Sequence, residues 1–207
     1  MAQTTRTFIA IPLPDAISDR LTRFQGRLAP QAPLVRWNST PPFHITLSFL
    51  GDVPYVDLNA VCGAAAEAAR TVRRFELTVS GLGAFPNLTR PRVLWAGLEG
   101  PGLEPLADLH RAVAAALDKV GCVPDDDRFS PHVTLGRIKP ARGATHPDNL
   151  AAIVARHQTW TAGAFTVAEV VAFSSTFTPE SPDGPAYAPL ARAPLASARS
   201  RDDDLTT

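Results

Sequence analysis

Lysine, cysteine and long apolar runs are the scarce features of this chain. Of its 20 basic residues only Lys119 and Lys139 are lysines, the rest being arginine. The 20 acidic residues bring the net charge to zero. That argues against a protein that holds nucleic acid by bulk charge, because such binding is built from many phosphate contacts. Arginine keeps the ability to grip a single phosphate through its planar fork, but the arginine bias alone decides nothing further. The two cysteines, Cys62 and Cys122, make no metal-type cluster and need not pair; they are expected to be structural thiols in a reducing compartment. No apolar stretch approaches the roughly 20 residues of a membrane helix. The polar stub Met1 to Thr5 lacks the character of a secretory signal. A cytoplasmic protein with no membrane partner is the expectation.

What is present is enough apolar chain for a core. With 207 residues and a hydrophobic fraction of 45%, a single larger domain can be buried without staples. Apolar spacing predicts strands over 6–13, 34–38, 44–50, 75–80, 93–98, 132–138, 165–174 and 187–195. Helical spacing covers 15–28, where Ile17, Leu21, Phe24 and Leu28 share a face, and 56–70, 103–120 and 148–157. Gly121 stands where a C-terminal cap would close the third of these. Strands come in pairs with helices between groups of them, which predicts an α+β protein with antiparallel sheets rather than a doubly wound parallel one. Residues 1–196 are expected to form one domain. The polar tail 197–207, with Asp202, Asp203 and Asp204, is expected to be disordered.

Two segments repeat one another. His44-Ile45-Thr46-Leu47 and His132-Val133-Thr134-Leu135 each open a strand after proline, at Pro42 and Pro131, and lie 88 positions apart. The repeat predicts two lobes, each giving one copy. Side chains alternate along a strand, so His44 and Thr46 share a face, as do His132 and Thr134, while Ile45, Leu47, Val133 and Leu135 point into the core. Two imidazoles and two hydroxyls on a common surface suit in-line displacement at a phosphodiester. One imidazole takes a proton from the attacking water and the other gives one to the departing oxygen, both forms being accessible near neutral pH. The threonine hydroxyls can donate to the non-bridging oxygens. A metal site is not expected, because two histidines without nearby Asp, Glu or Cys are too few ligands. A single H-x-T on a strand would be ordinary; two copies in the same setting are not.

The resemblance that these motifs carry extends through Arg6-Thr7-Phe8-Ile9-Ala10-Ile11, Trp37, Pro42 to Gly51, Gly81-Leu82-Gly83-Ala84-Phe85-Pro86, Arg92-Val93-Leu94-Trp95 and Phe129 to Arg137. The chain resembles the two-histidine phosphoesterase superfamily, and within it the RNA 2',3'-cyclic phosphodiesterases, also called the 2'-5' RNA ligase family. The resemblance implies a bilobal α+β fold, with pseudo-symmetric antiparallel sheets lining a central cleft and helices outside. It implies metal-free hydrolysis of a 2',3'-cyclic phosphate on RNA to a 2'-phosphomonoester. His44 would be the proton donor, His132 the proton acceptor, and Arg137 a phosphate or ribose contact. Strand alternation puts Arg137 on the face away from His132 unless the strand kinks at Gly136. No cofactor and a monomeric state are expected. Near the C-terminus Ser174-Ser175 and Gly184 to Tyr187 match more weakly, across a proline-rich insert.

The same pair could act on a small nucleotide cyclic phosphate such as ADP-ribose 1'',2''-cyclic phosphate, or run backwards to join RNA ends by a 2'-5' bond. A binding module for a phosphorylated RNA end is the alternative of a different class; its signature would be the loss of one histidine. His110 is read as a surface or satisfied residue of its helix, and His146 and His157 as bystanders. Phe8, Trp37, Phe43 and Arg36 are read as core or surface residues that could also approach a base or the RNA backbone.

Overall fold

The computed structural model describes residues 3–38, 43–123, 129–138, 149–177 and 185–197. Pro41-Pro42, Asp125 to Asp127, His146, most of the turn after Pro179 and the tail from Arg199 lie outside the described residues. The elements in chain order are β1 (Thr4–Pro12), α1 (Asp15–Leu28), β2 (Val35–Trp37), β3 (His44–Pro54), α2 (Leu58–Thr71), β4 (Phe75–Phe85), β5 (Val93–Glu99), α3 (Leu103–Lys119), β6 (Val133–Ile138), α4 (Asn149–Arg156), β7 (Thr161–Val167), β8 (Glu169–Thr176) and β9 (Ala186–Pro194).

Among the described residues the strands make one nine-stranded sheet in the order β7-β4-β5-β6-β3-β1-β8-β9, with β2 added to β6. Every strand pairing is antiparallel. The sheet has two halves, and they meet where β3 and β6 pair through Ile45 and Val133. One half, β4 to β7, comes from a continuous middle stretch, with the short β2 joined to it at β6. The other, β3-β1-β8-β9, is assembled from both ends of the chain.

Helices cover one face. α1 crosses from β1 to the opposite half, where Arg20 Nη1 donates to Ala162 O of β7 at 2.9 Å. α2 lies on β8 and β9 and packs on α3, which in turn covers β3. Ile17, Leu21 and Phe24 of α1 and Leu106, Leu109 and Val113 of α3 join Ile45, Leu47, Val133 and Leu135 in a single buried core. Each large aliphatic side chain fully buried there stabilises the fold by about 1.5–3 kcal/mol. Gly121 closes α3 as its position predicts: Gly121 N–H donates to Asp118 O at 2.9 Å and Cys122 N–H to Leu117 O at 3.0 Å. The two cysteines are free thiols. No helix among the described residues is long and apolar enough to cross a membrane.

Several strand boundaries differ from the sequence expectation, and β3 runs on through Gly51 to Pro54, four residues past its expected end at Leu50. The apolar run 165–174 is two strands, because the chain leaves the edge strand β7 and enters the opposite half as β8. Leu195 N–H caps the junction at Ala168 O, 2.9 Å away. A continuous apolar run does not reveal a change of partner. β4 also runs on from Ser80 to Phe85, through a register shift between Ser80 and Leu82. Ladder pairing resumes beyond that irregularity and carries the strand five residues past the expected end.

Candidate active site

The face opposite the helices collects the motif side chains. β3 and β6 are neighbours in the sheet, so the two copies meet side by side across a seam. With Ile45 paired to Val133, antiparallel geometry sets His44 opposite Thr134 and Thr46 opposite His132. The two histidines are then diagonal neighbours, and such pairs are separated by roughly 7–8 Å, room for one phosphoryl group between two imidazoles. Behind them Ile45, Val133 and Leu135 are fully buried and Leu47 nearly so, which fixes the face that each histidine presents.

Both strands then slip by one residue at the same place. Thr46 pairs with Ala10 but Ser48 with Ile9, leaving Leu47 as an extra residue on β3. Thr134 pairs with Trp95 but Gly136 with Leu94, leaving Leu135 as an extra residue on β6. A β-bulge of this kind re-aims the side chains that follow it. Ser48 turns inward, and Phe49, five residues past His44, emerges 41% exposed. Arg137, five residues past His132, emerges likewise. The alternation objection to Arg137 therefore disappears: the bulge returns it to the face of His132 and Thr134, beside Arg36 of β2, its cross-strand partner. Gly136 is required there, since a Cβ would come within 2.7 Å of Val35 Cγ1 and 2.8 Å of the Arg36 carbonyl oxygen.

His44 rests on aromatic rings. Phe8 lies 5.0 Å from it, Tyr187 5.2 Å away edge-on, and Phe173 6.2 Å away. Phe8 is 1% exposed and stacks on both Phe49 and Phe173. It is thus a buried residue and also the floor beneath His44. Burial pushes the Tyr187 hydroxyl pKa up, and the positive charge of Arg137 pulls it back down. The field of β6 therefore reaches across the seam to β9.

His132 has a different setting. Its Nδ1–H donates to Ser130 O at 2.7 Å, which leaves Nε2 as the acceptor. Phe85 meets the ring edge-on at 4.9 Å and Trp95 stands 6.4 Å away. Burial lowers the pKa of His132 below its usual 6.5, and the Ser130 hydrogen bond offsets part of that. The Trp95 indole lies over Gly83 so closely that a Cβ there would overlap it.

The remaining candidates separate clearly. Trp37 packs at the margin of the core and Phe43 lies inside it, while Arg36 is exposed at the rim. His157 bonds within its own helix end, to Ile153 O. His110 is a satisfied helix residue rather than a surface one: its Nδ1 lies 2.9 Å from Leu47 O, and its ring stacks on Phe129. Among the described residues no three His, Cys, Asp or Glu side chains converge as a set that could hold a metal ion. Sequence reasoning gave no separate role to Phe85, Trp95 or Tyr187, although all three stand in the blocks that carry the resemblance.

Comparison with known proteins places the chain in a family. The model of the family described as LigT like phosphoesterase matches residues 11–95 and again 97–182, so each match holds one H-x-T-L motif. An RNA 2',3'-cyclic phosphodiesterase of Methanothermobacter thermautotrophicus is 33% identical over 177 residues, covering 86% of this chain and 93% of its own length. One of Archaeoglobus fulgidus is 31% identical over 177 residues, covering 86% and 94%. Among solved structures, a Thermus thermophilus protein aligns with a TM-score of 0.71 at 27% identity, over 93% of this chain and 98% of its own. E. coli LigT complexed with 3'-AMP aligns with a TM-score of 0.69 at 25% identity, again over 93% and 98%. With the family matched in both halves and relatives of about one-third identity along most of its length, the chain belongs to the LigT-like phosphoesterases of the two-histidine superfamily.

Proposed function

We propose that this protein hydrolyses the 2',3'-cyclic phosphate at an RNA end to a 2'-phosphomonoester, with His132 as base and His44 as acid. One observation carries the assignment: two H-x-T motifs share a face across one strand seam, and His132 has its Nδ1–H committed to Ser130 O. Water attacks phosphorus and gives its proton to His132 Nε2. The bond from phosphorus to O3' breaks, and O3' takes a proton from His44. The products are a 2'-phosphate and a 3'-hydroxyl, and exchange with solvent returns both imidazoles to their starting states. The depressed pKa of His132 suits the base, which must be neutral before the reaction. Thr46 and Thr134 donate to the non-bridging oxygens, and Arg137 adds charge from the rim. The two imidazoles and water account for every proton in the step, so the reading needs no metal. It takes the protein to be a cytoplasmic monomer. The names of the relatives and the nucleotide complex of the E. coli protein support the substrate class.

The test is a short RNA ending in 2',3'-cyclic phosphate, incubated in EDTA with the wild type, His44→Ala and His132→Ala, with the product end identified. Conversion to 2'-phosphate with a loss of about 10²- to 10⁴-fold in each variant is expected. Absence of turnover by folded wild type would redirect the reading to a small nucleotide cyclic phosphate or to binding alone. Activity abolished by EDTA would overturn the metal-free step.

A further inference from the structure

Each motif strand carries its bulge immediately past the threonine, and a bulge leaves its extra residue outside the ladder. A buried carbonyl in that position needs another partner. On β3 the extra residue is Leu47, and its carbonyl oxygen lies 2.9 Å from His110 Nδ1. On β6 the extra residue is Leu135, and its carbonyl oxygen receives Gln25 Nε2 at 2.8 Å and Asn38 N–H at 2.8 Å. Gln25 is 6% exposed, a polar side chain on the apolar stripe of α1.

The arrangement is crossed. α1, the helix between β1 and β3, secures the bulge of β6, and α3, the helix between β5 and β6, secures the bulge of β3. His110 does more than Gln25. Its ring lies flat on Phe129, with centroids 4.0 Å apart and planes 4° apart. Phe129 precedes Ser130, whose carbonyl holds His132 Nδ1. One helical side chain therefore touches the strand of His44 through a hydrogen bond and the approach to His132 through stacking.

We propose that His110, with Gln25 as its counterpart, is a positioning residue that fixes the two bulges and so the relative placement of the histidine pair. The inference rests on the reading that His44 and His132 transfer the protons. Neither positioning residue touches substrate. Their work is to keep Thr46 and Phe49, and Thr134 and Arg137, on one face across a change of register.

The test separates the ring from the hydrogen bond in the full chain. His110→Phe keeps the stacking on Phe129 and removes the donor. His110→Asn places an amide near the Nδ1 position and removes most of the ring. Gln25→Met keeps length and removes the donor on the other side. Steady-state kinetics on the cyclic-phosphate RNA are run for all three beside His44→Ala and His132→Ala, with thermal unfolding of each. His110→Phe and Gln25→Met are expected to lose on the order of 10- to 100-fold in kcat, the range for misplaced catalytic groups, with KM within about twofold. His110→Asn is expected to recover most of the kcat that His110→Phe loses. Wild-type kcat in His110→Phe would overturn the proposal, as would a His110→Asn no better than His110→Phe. A loss of activity that simply tracks lowered thermal stability would reduce both residues to ordinary core packing and overturn it too. Full activity in His44→Ala or His132→Ala would instead overturn the proton-transfer reading, whatever the variants at position 110 do.

Discussion

Replacing Phe8 tests whether the aromatic floor of the site is also part of its machinery. Phe8 is 1% exposed, and its ring contacts Phe49, Phe173, Tyr187 and His44 at centroid distances of 5.5, 5.3, 5.2 and 5.0 Å. Truncation of a fully buried phenylalanine to alanine costs about 3–5 kcal/mol. A chain of this size loses about 2–4 °C in Tm per kcal/mol, so Phe8→Ala is expected to unfold roughly 6–20 °C below wild type. Phe8→Leu refills most of the volume and loses mainly ring-to-ring terms, each about 0.5–1.5 kcal/mol and not fully additive. Its Tm is expected to fall by roughly 2–12 °C. Activity is then measured at 20 °C, where both variants are folded. Without the ring beneath it, His44 gains rotamers that do not point at the leaving oxygen, and Phe8→Ala should lose about 10- to 100-fold in kcat. Phe8→Leu should fall between. A Phe8→Ala protein with wild-type kcat would refute the claim that the ring holds His44. One with wild-type Tm would refute the claim that the buried Phe8 ring contributes to stability.

Four further outcomes follow from the site. Because burial depresses His132, the acidic limb of kcat/KM against pH should lie below 6.5, and Phe85→Ala, which lets water reach the ring, should move it back up toward that value. The stability sign runs the same way: the unfolded chain takes up the proton near 6.5 while the folded one resists, so this residue withdraws stability as pH falls below 6.5, measurable as Tm against pH. Gly83→Ala drives a methyl into the Trp95 indole and should cost about 1–3 kcal/mol, with lowered kcat, seen by thermal unfolding and kinetics together. Arg137→Ala should raise KM by about tenfold or more while kcat changes less, and Arg137→Lys should recover only part, since a point charge replaces a planar fork.

How much of this was legible before the structure depends on the range of each interaction. The histidine and threonine pairs were visible because they occur twice with the same neighbours, and alternation correctly sent Ile45, Leu47, Val133 and Leu135 to the core. Alternation failed at Arg137, because it assumes an unbroken ladder and a bulge resets the count. Gly136 was the one hint of that reset. The boundary between β7 and β8 was hidden because both strands are apolar and only their partners differ. His110 and Gln25 were invisible for a deeper reason. Their partners are main-chain carbonyls 63 and 110 residues away, and nothing in the side-chain pattern marks which carbonyl a bulge will leave open.

The unequal origin of the two half-sheets has a consequence for how the enzyme comes into being. Apart from the short β2, the half behind His132 is drawn from one continuous stretch between Phe75 and Val167, whereas the half behind His44 pairs Phe8 with Phe173 and needs strands that run to Pro194. Contacts so distant in sequence carry the larger loop-closure entropy and form late. On the ribosome they must also wait for the last strands to be made. A growing chain can thus fold one half of its sheet while His44 still lacks Phe173 and Tyr187. A chain interrupted before β8 therefore lacks the rings that flank His44 and is expected to be inactive rather than half active.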